Sequence, residues 1–298
     1  MAPVVTAERL TKRFGELTAV DDLTFELAAG TVTGFLGPNG AGKTTTLRML
    51  LGLAAPTKGT ALVFGSRYAE LDGPPHRVGA VLESTDFHLG RSARNHLLAL
   101  ALAAGIPSSR VDAALRLVEL DAVARRRVKG FSLGMRQRLG LAGALLGGPE
   151  LLILDEPANG LDPEGVRWLR DFLRAFAAEG KTVFVSSHVL AEVAQTVDRV
   201  VIINRGRLVT ESPLGELTAR VGGSVHVRSP QSGELERCLH AAGITSIASV
   251  DHALVVHGAT CERVGEVAAA AGIVLHELTP EESSLEEVFL ELTSGAEA

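Results

Sequence analysis

Nine consecutive residues near the start of the chain combine flexible backbone with one cation and two hydroxyl groups. They are Gly37, Pro38, Asn39, Gly40, Ala41, Gly42, Lys43, Thr44 and Thr45. The strand pattern Thr31 to Leu36 precedes them and a helical pattern from Lys43 to Leu53 follows, which is the context of a phosphate-binding loop. Glycines let backbone N–H groups surround phosphate, Lys43 supplies charge, and the Thr44 hydroxyl suits Mg²⁺. The loop predicts nucleoside triphosphate binding, and alone it fits a kinase or a GTPase equally well.

Two apolar segments end in residues suited to acid–base or metal chemistry. Leu151 to Leu154 leads to Asp155 and Glu156, and Thr182 to Ser186 leads to His188. Open α/β sheets bind ligands at the carboxyl ends of their strands. We therefore expect Asp155 to hold Mg²⁺, Glu156 to activate a water as general base, and His188 to hydrogen-bond the γ-phosphate. The competing interpretations are solvent-exposed acids at a strand end and a histidine with an ordinary structural hydrogen bond.

The elements that must position these residues alternate between strand and helix patterns. Short apolar runs indicate buried parallel strands, so the sequence predicts an α/β fold for residues 1–217. Residues 91–147 are instead rich in Ala, Leu and Arg with helical periodicity. We expect a helical subdomain at about residues 84–147, inserted into the α/β domain.

The last 81 residues differ in charge from the rest. Residues 218–298 hold 4 basic and 12 acidic residues, whereas residues 1–217 are near neutral. The change falls beside a Pro- and Gly-containing stretch, a plausible boundary before a small α+β domain. Its patterns predict strand, helix, strand, strand, helix, strand, which suits a split βαβ sandwich. The pieces are Ser224 to Val227, Gly233 to Ala242, Thr245 to Val250, Ala253 to Val256, Cys261 to Ala271, and Ile273 to Glu277.

This acidic region also holds five of the nine histidines and both cysteines, Cys238 and Cys261. The spacing matches no metal-ligand pattern, so scattered surface histidines are favoured over a metal site. Two cysteines cannot form a disulfide framework, which indicates a reducing, cytosolic compartment. We expect this domain to pack on the rest of the chain, to contact a partner, or to have a regulatory role.

Composition excludes several classes of protein. A content of 46% hydrophobic residues among 298 is too high for a disordered chain, and the net charge of -6 disfavours a basic nucleic-acid binder. Arg125, Arg126 and Arg127 are read as a solvated helix end, because no aromatic residues interleave with them. The longest apolar runs are about half the roughly 20 residues needed to span a bilayer. Met1 to Arg9 has no signal-peptide pattern.

The order of the motifs resembles that of the ATP-binding cassette (ABC) ATPases over about residues 4–215. Between Lys43 and Asp155 lies the segment Phe131 to Arg138, and Asn159 to Asp162 follows before His188. The resemblance implies ATP and Mg²⁺ as ligands, and two chains paired head to tail. Ser132 and Gly134 would then contact the γ-phosphate bound to the partner's phosphate loop. Phe14 would stack on adenine, with a core phenylalanine as the alternative, and Asp162 would communicate across the dimer.

Three residues depart from the family pattern. Glu83 stands where most members have a glutamine that touches Mg²⁺ and the membrane subunit, and it can still bind metal. Leu133 and Met135 replace the usual Gly and Gln of the signature. We read these as features of a subfamily similar to the ATPases of bacitracin and daunorubicin resistance.

The sequence therefore predicts the ATPase subunit of a bacterial ABC transporter, an exporter of an antibiotic, peptide or lipid-like substrate. The implied partners are integral membrane permease subunits and a second copy of the chain, at the cytoplasmic face of the membrane, with no nucleic acid. The alternative is a soluble ABC ATPase acting on ribosomes or DNA. Such proteins usually carry two cassettes or a long coiled coil, and neither pattern occurs in this sequence.

Overall fold

The computed structural model describes residues 2–82, 87–189, 193–220, 224–250 and 253–281. They separate into two compact units, the first ending at Leu214 and the second beginning at Gly215. Each unit has its own sheet and its own cluster of buried apolar side chains. Within the described ranges, no helix combines the length and hydropathy that crossing a bilayer requires.

Nine strands fall in the described part of the first unit. They are β1 (Val5–Phe14), β2 (Leu17–Leu27), β3 (Val32–Leu36), β4 (Lys58–Val63), β5 (Val78–Val81), β6 (Leu151–Leu154), β7 (Thr182–Ser187), β8 (Arg199–Asn204) and β9 (Arg207–Pro213). Six form one sheet in the order β5-β6-β7-β3-β8-β9, parallel except for the β8–β9 pair. Every residue of β3, β6 and β7 is buried, as expected for parallel strands covered on both faces.

The apolar core of the first unit joins this sheet to a smaller one. The strands β2, β1 and β4 form an antiparallel three-stranded sheet in that order. The rings of Phe25 of β2, Phe35 of β3 and Phe184 of β7 pack against one another, with centroids 5.0 to 5.7 Å apart in the three pairs. Such tilted aromatic contacts add to the free energy gained by burying the rings. They hold the carboxyl ends of β3 and β7 in a rigid setting.

The first helix, α1 (Lys43–Leu50), ends three residues earlier than the sequence pattern predicted. Gly52 adopts a left-handed φ of 68°, and the Leu53 N–H donates back to the Arg48 carbonyl at 2.8 Å. This glycine-terminated end satisfies a carbonyl that the helix leaves free. Leu53 therefore belongs to the turn after the helix.

A helical segment lies between β5 and β6. The helix α2 (Pro74–Arg77) precedes β5, and α3 (Ala93–Ala103), α4 (Ser109–Leu117) and α5 (Leu133–Leu145) lie between β5 and β6. The helix α6 (Pro163–Ala178) follows β6. Side chains cap three of them, Ser92 on α3, Ser132 on α5 and Asp162 on α6, by accepting N–H bonds of the first turn. The Arg138 guanidinium of α5 lies over the Trp168 ring of α6, 4.1 Å from its centroid.

The second unit is an antiparallel sheet with two longer helices. After α7 (Leu214–Arg220) come β10 (Ser224–Arg228), α8 (Ser232–Ala241), β11 (Ile247–Val250), β12 (Ala253–His257), α9 (Cys261–Ala270) and β13 (Glu277–Glu281). The strand order β11-β12-β10-β13 is that of a ferredoxin-like split βαβ sandwich. Its core joins Val225 and Val227 of β10 to Leu235 and Leu239 of α8.

The predicted last strand, Ile273 to Glu277, is wrong by four residues. Ile273 is buried in the core of the second unit, and its N–H donates to the Ala268 carbonyl at 2.9 Å. It therefore closes α9 instead of pairing with a strand. Pairing with β10 begins only at Glu277, which lies opposite Arg228.

Candidate nucleotide-binding site

The phosphate loop joins β3 to α1 at the carboxyl edge of the parallel sheet. Gly42 adopts φ 103° at the start of α1, a conformation that residues with a side chain rarely adopt. At Gly37, a Cβ atom would lie 2.4 Å from the Ile203 carbonyl oxygen. The loop therefore needs glycine at position 42 for its backbone conformation and at position 37 for close packing.

The Lys43 ammonium group occupies the centre of the loop. Its Nζ donates to the carbonyl oxygens of Gly37 at 2.7 Å and Pro38 at 3.3 Å. It also lies 3.2 Å from Glu156 Oε1, and both side chains are more than nine-tenths buried. A buried ion pair of this kind is stable only when other hydrogen bonds satisfy its members, and the loop carbonyls supply them.

Glu156 contacts two of the predicted site residues at once. While Oε1 faces Lys43, Oε2 lies 2.9 Å from His188 Nδ1. The Glu156 backbone adopts a left-handed φ of 48°, which carries its side chain away from the line of β6. Three elements therefore converge on one carboxylate.

Asp155 is buried behind this contact. One of its oxygens, Oδ1, accepts a hydrogen bond from Ser186 Oγ at 2.6 Å. The other, Oδ2, is buried and has no hydrogen-bond partner among the described residues. A buried carboxylate oxygen without a partner is unfavourable unless a cation or donor compensates it. A carboxylate oxygen of this kind is a ligand that suits Mg²⁺.

A cavity of about 550 Å³ opens over the loop. Of the predicted residues, the structure brings together around it Phe14, Asn39, Gly40, Ala41, Gly42, Lys43, Thr44, Thr45, Glu156 and His188. Phe14 is about half exposed, at 53%, so the alternative that it is a core residue is wrong. The Lys12 ammonium group lies over the ring, 4.9 Å from its centroid. An exposed aromatic ring at the rim is suited to stack on a planar base.

Sequence reasoning missed three residues that line the same cavity, namely Leu17, Ala19 and Asn159. Leu17 begins β2 and lies directly opposite Phe14 in the β1–β2 pairing. It adds a second exposed apolar side chain, at 67%, beside the ring. A hairpin prediction for residues 14–17 would have found it, because opposite residues of a hairpin share one face.

Other predicted residues lie away from this cavity. Ser132 Oγ accepts from the Met135 N–H at 3.3 Å at the start of α5, and Gly134 lies against Leu161. Asp162 Oδ1 accepts from the Gly165 N–H at 2.8 Å. Glu83 lies outside the described residues. Within one chain, the structure does not bring Ser132, Gly134 or Asp162 to the phosphate loop.

The described histidines and cysteines of the second unit are scattered over its helices and strands. Across the described ranges, no group of three or more His, Cys, Asp or Glu side chains is arranged to hold a metal ion. The described cysteines, Cys238 and Cys261, are both free thiols.

A parallel sheet whose carboxyl edge carries a phosphate loop, two acids and a histidine defines a P-loop nucleoside triphosphatase. The sequence profile described as "ABC transporter" matches residues 20–159. Curated relatives share more than 40% identity over most of their length. The chain belongs to the ABC transporter family, as an ATP-binding subunit, and it is an ATPase. A separate profile, "Domain of unknown function (DUF8746)", matches residues 223–286.

Two curated relatives illustrate the family. The "Bacitracin transport ATP-binding protein BcrA" of Bacillus licheniformis is 44% identical over 223 residues, covering 74% of this chain and 73% of that protein. The "Lantibiotic transport ATP-binding protein SrtF" of Streptococcus pyogenes is 36% identical over 204 residues, covering 68% of this chain and 88% of that protein.

Solved structures share the fold of the first unit. The cbiO1 structure from Clostridium perfringens, titled as part of an ABC transporter complex, is 26% identical with a TM-score of 0.66 and covers 74% of this chain and 92% of that chain. A dimeric structure of the cassette MJ0796, bound to ADP and phosphate, has a TM-score of 0.63 at 23% identity and covers 70% and 98%. The second likeness concerns the fold alone.

Proposed function

We propose that this chain hydrolyses ATP in pairs and thereby drives a separate membrane permease that exports an antibiotic or peptide. The observation that carries the proposal is the contact of Lys43, Glu156 and His188 at the floor of the open cavity. The Lys43 ammonium group, suited to phosphate, lies 3.2 Å from the Glu156 carboxylate, which is suited to activate a water. The His188 imidazole, suited to the terminal phosphate, lies 2.9 Å from the same carboxylate. These are the groups that phosphoryl transfer to water requires.

Nucleotide binding is proposed to use the loop and the rim of the cavity. Loop N–H groups from Gly40 to Thr45, together with Lys43, bind the phosphates, while Phe14 packs on the base. The residues that would hold Mg²⁺ are Thr44 and Asp155, with Glu83 added from the family resemblance. When bound there, Mg²⁺ would supply positive charge to the phosphate oxygens.

Glu156 is proposed to be the general base. In the structure its carboxylate is held by Lys43 and His188, so it is not free to orient a water. Phosphate oxygens at the loop compete with Glu156 for the Lys43 ammonium group, because both are anions. Binding of the phosphates therefore releases the carboxylate towards the cavity while His188 keeps it oriented.

A second copy of the chain is proposed to complete the site. Ser132 and Gly134 stand at the start of α5, where a hydroxyl and backbone N–H groups favour an anion. The described part of one chain leaves them away from its own cavity. In a head-to-tail pair they face the partner's phosphate loop, and Asp162 lies at the same junction.

The cargo and the location are proposed from the relatives. The names of BcrA and SrtF assign them to bacitracin and lantibiotic transport, which favours a peptide antibiotic here as well. The chain would sit at the cytoplasmic face of the membrane, bound to an integral permease. Affinity purification from native membranes should recover that permease, whereas recovery with ribosomes alone would contradict the transport role.

The catalytic part of the proposal is tested with Glu156→Gln. Loss of the base should lower turnover by about 10²- to 10⁴-fold while ATP still binds, and the variant should accumulate as an ATP-bound dimer. Phosphate release and light scattering report these two properties. Glu179→Gln is the control, since Glu179 is an exposed acid paired with Lys181 at 2.7 Å. Undiminished hydrolysis, or a monomer at saturating ATP, would refute the proposal.

A further inference from the structure

Ser186 lies at the junction of the two acids but belongs to a different strand. It is a residue of β7, fully buried at 0% exposure. In the parallel pairing of β6 with β7, Leu154 lies opposite Val185. The next residues along, Asp155 and Ser186, are therefore neighbours across the end of the sheet.

The Ser186 hydroxyl is engaged with both acids. It donates its single hydrogen to Asp155 Oδ1 at 2.6 Å and accepts the Glu156 backbone N–H at 2.9 Å. A hydroxyl has one donor, and here a carboxylate receives it in a short bond of the charge-assisted kind. No other polar side chain in the described residues donates to Asp155.

These two bonds have different consequences. Anchoring Oδ1 fixes the plane of the Asp155 carboxylate and leaves Oδ2 as the atom without a partner. The bond to the Glu156 N–H supports a backbone with φ 48°, a conformation that is unfavourable for a residue with a side chain. One hydroxyl thus governs the direction of a metal-binding oxygen and the turn that leads to the base.

We propose that Ser186 is a positioning residue that orients Asp155 for the divalent cation and holds the turn at Glu156. This inference rests on the proposed function, since it assumes that Asp155 receives Mg²⁺ with the nucleotide. Ser186 itself is not among the residues that line the cavity. Its effect is exerted through the groups that it bonds.

Four variants separate this role from a general packing effect. Ser186→Ala and Ser186→Cys remove the hydroxyl, and Ser186→Thr retains it. Ser187→Ala is the matched control, because Ser187 is the next residue of β7 and is also buried. Its hydroxyl bonds to the backbone of Val189, by donating to the carbonyl and accepting the N–H.

The measurement is the binding of a non-hydrolysable ATP analogue to the full chain while Mg²⁺ is titrated. The same binding is repeated in EDTA to report the loop without the cation. Loss of an outer-shell bond commonly weakens metal affinity by about 10-fold or more. We expect Ser186→Ala and Ser186→Cys to need about 10-fold more Mg²⁺ for half-maximal tight binding, with binding in EDTA unchanged.

The Ser186→Thr variant should return the Mg²⁺ midpoint to within a few-fold of the wild-type value, and Ser187→Ala should not shift it. Identical midpoints for Ser186→Ala and the wild type would overturn the inference. An equal loss of nucleotide affinity in Ser186→Ala with and without Mg²⁺ would also overturn the inference, because a packing defect would act in both conditions. A wild-type chain whose nucleotide binding ignores Mg²⁺ would instead refute the proposed function itself.

Discussion

The two units of this chain hold many ionisable side chains but use them differently. In the first unit, Lys43 and His188 come from separate elements and both contact Glu156. In the second, the contacts of the described histidines join partly exposed side chains. His226 lies 3.8 Å from Glu277, which also pairs with Arg228 at 3.7 Å, and His240 lies 4.0 Å from Glu236. The number of titratable residues is therefore a poor guide to where chemistry occurs.

Strand direction accounts for the difference. The strands β3, β6 and β7 run parallel, so the residues that follow them meet at one edge of the sheet. Every neighbouring pair in the second unit runs antiparallel, which places successive strand ends at opposite edges. Polar residues that follow those strands are therefore dispersed between the two edges.

The largest expected effect comes from Lys43→Ala in the first unit. Removing the ammonium group leaves Glu156 buried without its cation and takes away the charge that phosphate requires. Nucleotide affinity should fall about 100-fold or more, measured by equilibrium binding. Lys181→Ala, which breaks an exposed pair with Glu179, should leave affinity unchanged. If His226→Ala in the second unit weakened binding as strongly, the contrast between the units would be wrong.

A smaller effect is expected from Gly37→Ala. The added methyl group would overlap the Ile203 carbonyl at 2.4 Å and contact Ala41 Cβ at 3.0 Å. The overlap should lower the free energy of unfolding by about 1–3 kcal/mol and displace the loop, so that nucleotide binding weakens as well. Urea denaturation and nucleotide titration measure the two effects. A variant with wild-type stability would show that the loop is less tightly packed than the structure indicates.

The smallest effect is expected from Gly233→Ala in the second unit. This glycine lies near the start of α8, and a Cβ there would meet nothing within 4 Å. Alanine should stabilise the helix by at most about 1 kcal/mol, because it loses less backbone entropy on folding. Hydrogen exchange of the α8 amides reports the change. ATP hydrolysis should be unaffected, and a loss of helix protection would contradict the expectation.

Much of the nucleotide site could be predicted because its determinants are local in the sequence. The loop Gly37 to Thr45 carries its own glycines, and Asp155 and Glu156 directly follow an apolar run. Parallel pairing of buried strands then brings separate strand ends together without further information. The same reasoning predicted the strand and helix order of the second unit.

The remaining features depend on contacts that no local pattern encodes. The left-handed backbone of Glu156 and its bond to Ser186 arise from the register of β6 with β7. The shift of β13 arises because Ile273 is apolar, like a strand residue, yet packs as the end of α9. Hydropathy alone does not distinguish these two kinds of burial.

The stacking of Arg138 on Trp168 has a practical consequence. Trp168 is the only tryptophan in the sequence, so fluorescence excited selectively in tryptophan arises from this one position. The cation above its ring belongs to α5, whereas the ring belongs to α6. Any relative displacement of these helices alters the field at the indole and hence its emission. The protein therefore carries a built-in optical probe of movement between the helical segment and the parallel sheet, with no label required.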